Sequence, residues 1–300
     1  MFEAIFAPTD DAFDEVPASL IYYLQQEDNV ETLQEILAYH VIFGEFFSVD
    51  LSDGMMVPTI LGGTLDVSMI DDFAMINNVT IATADVDASN GVIHIIDKVL
   101  IPDSITIPTL IDLGKSDAML ETLVDALTAA ELVEALSSPG PFTVFAPTEA
   151  GFDNLAAGAI QALTTAEDKT PLKKILKYHV VPGLITRDAI SEGLTSATTL
   201  QGSKLTLSLV GMDDMEYVMV NGVRVQGTAV AGNGIVYSIN EVLPVPDDTE
   251  TPTVTPTTSP TVNEALPTMA PSEDSGALST SSFVATSFSG LFFAFMLVMN

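Results

Sequence analysis

Apolar and polar residues along this 300-residue chain alternate at two different periods. From Phe142 to Ala146 the period is two. Phe142, Val144 and Ala146 fall on one side and Thr143 and Phe145 on the other, which predicts a strand. Pro147 has no N–H for a ladder and ends it, and Thr148 stands as N-cap for a following helix. Leu172, Ile175, Leu176 and His179 then fall at i, i+3, i+4 and i+7, a helical face. Thr170 is placed to cap that helix, with Pro171 at its first position. Period two returns at Leu205, Leu207 and Leu209. Val218 to Val225 reads as a hairpin about Asn221-Gly222, a pair suited to positive φ. Asn233-Gly234 marks a last turn before Ile235–Leu243.

The same order occurs once before. Ala7-Pro8-Thr9 and Ala146-Pro147-Thr148 stand 139 positions apart, as do Tyr39-His40 and Tyr178-His179. Two motifs in one register are an internal repeat. The first copy carries its helical face on Leu33, Ile36, Leu37 and His40, its alternation on Leu65, Val67 and Met69, and turns at Asn77-Asn78 and Asn90-Gly91. Before the Phe142 strand, residues 117–127 place Leu120, Leu123, Val124 and Leu127 on one helical face. Thr128-Ala-Ala-Glu131 has the form of a capping box opening a second helix through Leu136, which Ser138-Pro139-Gly140-Pro141 breaks. Nothing of this kind stands before Glu3, and no basic-then-apolar leader is present. The expectation is a first domain that is incomplete as written, and a native product carrying a signal peptide and an amphipathic helix pair ahead of Met1.

A Thr-Val-Phe-Ala-Pro-Thr strand, a Tyr-His at a helix end before Val-Val-Pro-Gly and a late Asn-Gly-Ile-Val-Tyr strand resemble the fasciclin (FAS1) family. The resemblance implies an α+β architecture of two tandem domains, residues 1–102 (N-terminally incomplete) and 103–246. Each would be a two-sheet β-sandwich wedge flanked by a small helical group. It also implies an extracellular adhesive role with protein or polysaccharide partners. The family's Tyr-His is linked with partner binding, which points to Tyr39, His40, Tyr178 and His179. The position of both histidines on an apolar helical face points instead to a neutral imidazole hydrogen-bonded inside the core. The linker from Asp103 is short, so the domains should be closely coupled.

Composition narrows the partners. The net charge is −32, and residues 1–102 hold eighteen Asp/Glu against the single cation Lys98. Such a surface repels nucleic acid and anionic lipid and attracts cations or basic partners. That leaves an acidic, Ca²⁺-gathering structural matrix protein as the alternative to adhesion, and self-association as a further mode. Asp71-Asp72 and Asp213-Asp214 lack the spacing of a calcium loop and read as solvated turns with at most weak Ca²⁺ affinity. The chain has no cysteine, which excludes disulfides and thiolate chemistry.

At the C-terminal end, residues 247–282 are rich in Pro, Thr and Ser, a disordered stalk. Residues 283–300 are mostly apolar but interrupted by Thr, Ser and Gly, with no basic flank. Ser275-Gly276-Ala277, a spacer and that apolar end match a GPI-attachment signal better than a membrane span, with Ser275 as attachment residue. Asn78-Val79-Thr80 is an N-glycosylation acceptor at a turn. The expected place is the outer face of the plasma membrane, or the wall or matrix, reached by the secretory route. No nucleophile elbow, phosphate loop, dinucleotide glycine pattern or His-Glu-x-x-His occurs. Neither enzyme chemistry nor a cofactor nor a metal site is therefore expected.

Overall fold

The computed structural model of the chain describes residues 3–70, 73–211 and 216–246. In the first domain β1 (Glu3–Pro8) leads into α1 (Asp10–Asp14), α2 (Ala18–Leu24) and α3 (Val30–Tyr39). The remaining strands are β2 (Val41–Phe43), β3 (Met56–Pro58), β4 (Thr64–Ile70), β5 (Phe73–Ile76), β6 (Val79–Ala88) and β7 (Gly91–Ile96). The second domain opens with α4 (Leu110–Ser116), α5 (Glu121–Ala129) and α6 (Val133–Ser137). It then repeats the first as β8 (Phe142–Pro147), α7 (Glu149–Asp153), α8 (Ala159–Thr165), α9 (Thr170–Tyr178) and β9 (Val180–Pro182). It closes with α10 (Arg187–Ser191), β10 (Ser196–Thr198), β11 (Lys204–Val210), β12 (Tyr217–Val220), β13 (Val223–Ala231) and β14 (Gly234–Ile239).

Both domains share one strand order, β2-β1-β7-β6-β5-β4-β3 and its counterpart β9-β8-β14-β13-β12-β11-β10. The first and last strands of each domain lie side by side and parallel, while the other pairings are antiparallel. The two sheets of each wedge are continuous through a shared strand. Val79 and Thr80 of β6 pair with β5, and the rest of β6 pairs with β7 across two register shifts, which bend and twist a strand. The ends of the order also approach each other: Ile60 N donates to Val41 O (2.9 Å) and Leu200 N to Val180 O (2.7 Å). The sheet thus curls into a barrel-like shape.

The alternation in β8 separates two cores rather than a core from solvent. Val144 and Ala146 pack with the helical layer around Leu123, Leu127, Leu136 and Leu172. Phe145 faces the barrel interior with Tyr178, Leu205, Leu207 and Ile235. The strand is apolar except for Thr143, which is buried with its hydroxyl donating to Gly183 O (2.7 Å), and each buried Leu or Val contributes about 1.5–3 kcal/mol. The outer hairpins lose burial toward their tips, so Leu65 and Val67 are buried while Met69 is exposed. The two hairpin turns have positive φ at Asn77 and Asn78, and at Asn221 and Gly222, the geometry a two-residue turn requires.

Two local expectations are corrected, and a third, Thr148 as N-cap, holds by position but without its side-chain bond. Thr128 does not open a helix: its hydroxyl donates to Val124 O (2.8 Å) within α5, and Glu131 takes φ 56° in the break before α6. Thr148 stands at the N-cap of α7, but its hydroxyl donates to the Asn240 side chain (2.9 Å). In the first domain Thr9 does accept from Ala12 N (3.1 Å). Helix α9 begins one residue early, at Thr170, whose amide donates to the Asp168 carboxylate (2.9 Å).

The domains pack through α2. Leu20, Tyr23, Leu24 and Ile36 form one cluster with Ile105, Ile107 and Val230, and Ser19 Oγ donates to Gly232 O (2.9 Å). A Cβ at Gly232 would lie 2.3 Å from Ile107 Cγ2, so any larger residue there would force Ile107 to shift.

Candidate functional site

The Tyr-His pairs end α3 and α9 and are buried, with Tyr178 1%, His40 1% and His179 2% exposed. Each histidine links the end of its helix to the segment leaving the domain. The Nδ1 of His40 donates to Ile36 O (2.8 Å), and its Nε2 accepts from Leu100 N (3.0 Å). His179 repeats this with Ile175 O (2.9 Å) and Leu243 N (2.8 Å). A carbonyl only accepts and an amide only donates, so both rings are neutral with the proton on Nδ1. Burial lowers both pKa values to about 4, against the smaller opposing effect of the carbonyl bond.

Each tyrosine reaches the opposite way, to a hairpin turn. Tyr39 OH donates to Thr64 O (3.1 Å) and accepts from Asn77 Nδ2 (2.8 Å), while Asn77 Oδ1 accepts from Asp66 N (2.8 Å). Asn221 holds Tyr178 OH (2.9 Å) and Thr206 N (2.8 Å) in the same way. One dipeptide therefore ties together the helix end, the exit segment and an outer hairpin.

His94 and Tyr237 occupy equivalent places at the barrel centre. His94 stacks on Phe6 (5.3 Å between ring centroids) and Tyr237 on Phe145 (5.6 Å). His94 Nε2 donates to Phe46 O (2.7 Å), and Tyr237 OH donates to Ile185 O (2.8 Å). The first domain adds Asp85, whose φ of 58° is left-handed. Its carboxylate accepts from Ser48 N (2.7 Å) and Ser48 Oγ (2.5 Å), and the Ser48 hydroxyl bond lowers its pKa. His94 Nδ1 lies 3.9 Å from Asp85 Oδ1. Ser48, Asp85 and His94 are thus neighbours, yet no nucleophile–base pair is assembled. The serine bonds the carboxylate, and the histidine proton goes to a backbone carbonyl.

Asn78 is exposed at its turn. Asp71-Asp72, Asp213-Asp214, Ser275 and residues 247–300 lie outside the described residues. Among the described residues no three His, Asp or Glu side chains converge as metal ligands, and no helix is long and apolar enough to cross a membrane.

Sequence reasoning passed over three structural side chains. Asn233 was legible only as a turn residue, yet it is buried and clamps the helical layer. Its Oδ1 accepts from Leu110 N (2.8 Å), and its Nδ2 donates to Leu136 O (2.8 Å) and Ser138 O (3.0 Å). Glu149 holds α5 by accepting from Thr122 N (2.7 Å) and Oγ1 (2.6 Å). Asp85 is the third. The available signal was recurrence: Asn-Gly appears at the same place in both copies.

The fasciclin domain profile matches residues 4–102 and 118–246. Human periostin is 28% identical over 249 residues, 82% of this chain and 28% of periostin. Protein sll1483 of Synechocystis sp. is 38% identical over 138 residues, 46% of this chain and 74% of that protein. The chain thus spans under a third of periostin's length. The structure described as a FAS1 domain pair from the insect cell adhesion molecule fasciclin I is 21% identical, with a TM-score of 0.42, covering 81% of this chain and 89% of that one. With the same strand order and the same Tyr-His latch in both repeats, and a profile match across each, this chain belongs to the fasciclin domain family.

Proposed function

We propose that this chain is a non-catalytic adhesion protein of the cell surface or extracellular matrix, engaging protein or polysaccharide partners through the faces of its two fasciclin domains. The supporting observation is the pair itself: two fasciclin domains docked through α2 and Ser19 present one composite surface rather than two tethered ones. The four Tyr-His residues serve binding from within, by holding each domain's hairpin, helix end and exit segment in register. Residues 247–282 act as a stalk, Ser275 as the GPI-attachment residue, and Asn78 as an exposed glycan site. The strongly acidic surface disfavours nucleic acid and supports a second reading, weak Ca²⁺-dependent self-association.

The test uses beads coated with the full chain, mixed with each other and with matrix polysaccharides, in calcium and in chelator. Adhesion that survives chelator is the expected result. Adhesion abolished by chelator alone would replace this reading with the ion-gathering one. Treatment of expressing cells with a phosphatidylinositol-specific phospholipase should release the protein; retention of a membrane-bound peptide from residues 283–300 would rule out the anchor.

A further inference from the structure

The outer hairpins turn one face to the core and one outward, and the outward faces of the two domains differ. In the first domain Leu65, Val67 and Ile76 belong to the core. The register lays out the opposite face of β3, β4 and β5, with Met56 across from Asp66, Ser68 from Met75 and Ile70 from Phe73. Met75 lies in turn across from Thr80 of β6. Met56 is 63% exposed, Ile70 54% and Phe73 64%, and Asp66 stands exposed among them.

The second domain keeps the register and changes the face. Ser196 pairs with Thr206, Ser208 with Met219 and Val210 with Tyr217. Arg224 lies across from Met219, in the place of Thr80. Its guanidinium sits 4.2 Å from the centroid of the Tyr217 ring, and Tyr217 is half-buried. That domain covers its outer aromatic ring with a cation of its own, drawn to the negative face of the ring. The first domain has the ring, Phe73, but Thr80 brings no charge to it. Carboxylates also stand where the second domain is neutral. Asp66 replaces Thr206, and Asp97, whose Oδ1 accepts from Thr80 N (3.0 Å), replaces Asn240.

We propose that this outward face of the first domain is a docking site for a basic polypeptide that lays an arginine on Phe73; the inference rests on the adhesion reading above and names the class of its protein partner. The guanidinium takes the place on Phe73 that Arg224 takes on Tyr217, with Asp66 and Asp97 as flanking carboxylates. Apolar neighbours of that arginine fall on Met56 and Ile70. Charge complementarity selects this occupant, because residues 1–102 hold eighteen Asp/Glu against one cation and draw in basic chains. A second copy fits poorly. The chain has two arginines, and each is engaged within its own domain, Arg224 on Tyr217 and Arg187 at 3.4 Å from Glu216. Arginine is specified over lysine because a planar guanidinium stacks on a ring while its edge still donates to a carboxylate.

The test titrates a short fluorescent peptide of alternating arginine and valine into the full chain at about 0.15 M salt, beside its lysine twin. The arginine peptide should bind about fivefold more tightly than the lysine one. Phe73→Ala, which leaves the net charge unchanged, should weaken it about fivefold. Thr80→Arg, which gives the first domain the cover that the second already has, should weaken it about tenfold. Neither residue belongs to the core, so the thermal melts of both variants should match the parent chain. Equal affinity for parent and Phe73→Ala, or for the two peptides, would assign binding to diffuse charge and overturn the proposal. A parent dimer in the ultracentrifuge that Phe73→Ala dissociates would assign the face to a second copy and overturn it equally. Bead adhesion in chelator, measured on the same protein, reports the adhesion reading separately: its loss would strike that reading, whereas the titrations alone decide this one.

Discussion

The two domains place different side chains at the same point and keep the same bond. At the barrel centre the first has His94 and the second Tyr237; each lies against a phenylalanine and donates to the carbonyl of the equivalent loop, at Phe46 or Ile185. The fold requires a buried planar ring with one donor aimed outward, and either residue meets that requirement. By contrast, the Tyr-His latch is identical in both copies. Its histidine must accept at one nitrogen and donate at the other, which a tyrosine hydroxyl at that distance from two backbone partners cannot reproduce. The exchange occurs where the bond common to both copies is a single outward donor, and the histidine is kept where two opposed backbone bonds recur in both copies.

That comparison is put under most strain by acid, because acid attacks the shared latch in both domains at once. His40 and His179 have folded pKa values near 4 against an ordinary 6.5, lowered by burial. The unfolded chain therefore takes up protons first as the pH falls. The stability held by the neutral rings is complete above about pH 6.5 and is lost progressively down to about pH 4. The loss should be about 3 kcal/mol per domain, against total domain stabilities of about 5–15 kcal/mol. Urea unfolding from pH 7 to pH 4 measures it. A His40→Gln, His179→Gln chain should start lower and show a flatter dependence over that window. An equally steep dependence in that variant would place the acid sensitivity in other groups.

A smaller effect tests the asymmetry of the helical layers. Asn233→Ala removes three hydrogen bonds and leaves Leu110 N–H without its partner, which should cost about 1–3 kcal/mol in the second domain. Asn90→Ala, at an exposed side chain, should stay within about 0.5 kcal/mol. Thermal melts of the two variants read the difference. Equal losses would mean that the asparagine acts through its turn in both copies and that the clamp is incidental.

What was legible in the sequence was local or repeated. Asn221-Gly222 announced its turn, the i, i+3, i+4, i+7 stripe placed His179 in the core, and the 139-residue spacing of two motifs declared two domains. The less legible features depend on distant partners. Asn233 bonds residues 97 and 123 positions away, which no window of sequence contains. Thr128-Ala-Ala-Glu131 has the composition of a capping box, but α5 already runs through Thr128 and the chain breaks at Glu131, so tertiary packing overrides the local pattern. Asp85 takes a left-handed backbone at a register shift in β6, and its carboxylate is held by Ser48 across the barrel. Nothing in Asp85's neighbours signals that contact.

The smallest effect tests the exchange at the barrel centre directly. Tyr237→Phe keeps the ring on Phe145 and removes only the hydroxyl that donates to Ile185 O. Burial pushes the Tyr237 pKa up, so the hydroxyl stays protonated and the lost bond is a neutral one. A neutral buried hydrogen bond contributes about 1 kcal/mol, and the second domain should lose about that much. Tyr237→His should be destabilised to a different degree, because an imidazole is shorter and does not carry its N–H as far as the phenolic oxygen. In the first domain His94 makes a second bond that Tyr237 does not, accepting at Nδ1 from the Asp85 amide (3.4 Å). The exchange is therefore a matched set, a histidine with a left-handed aspartate at the bulge or a tyrosine without one. A Tyr237→His chain as stable as Tyr237→Phe or better would break that pairing and show that the ring alone is exchangeable.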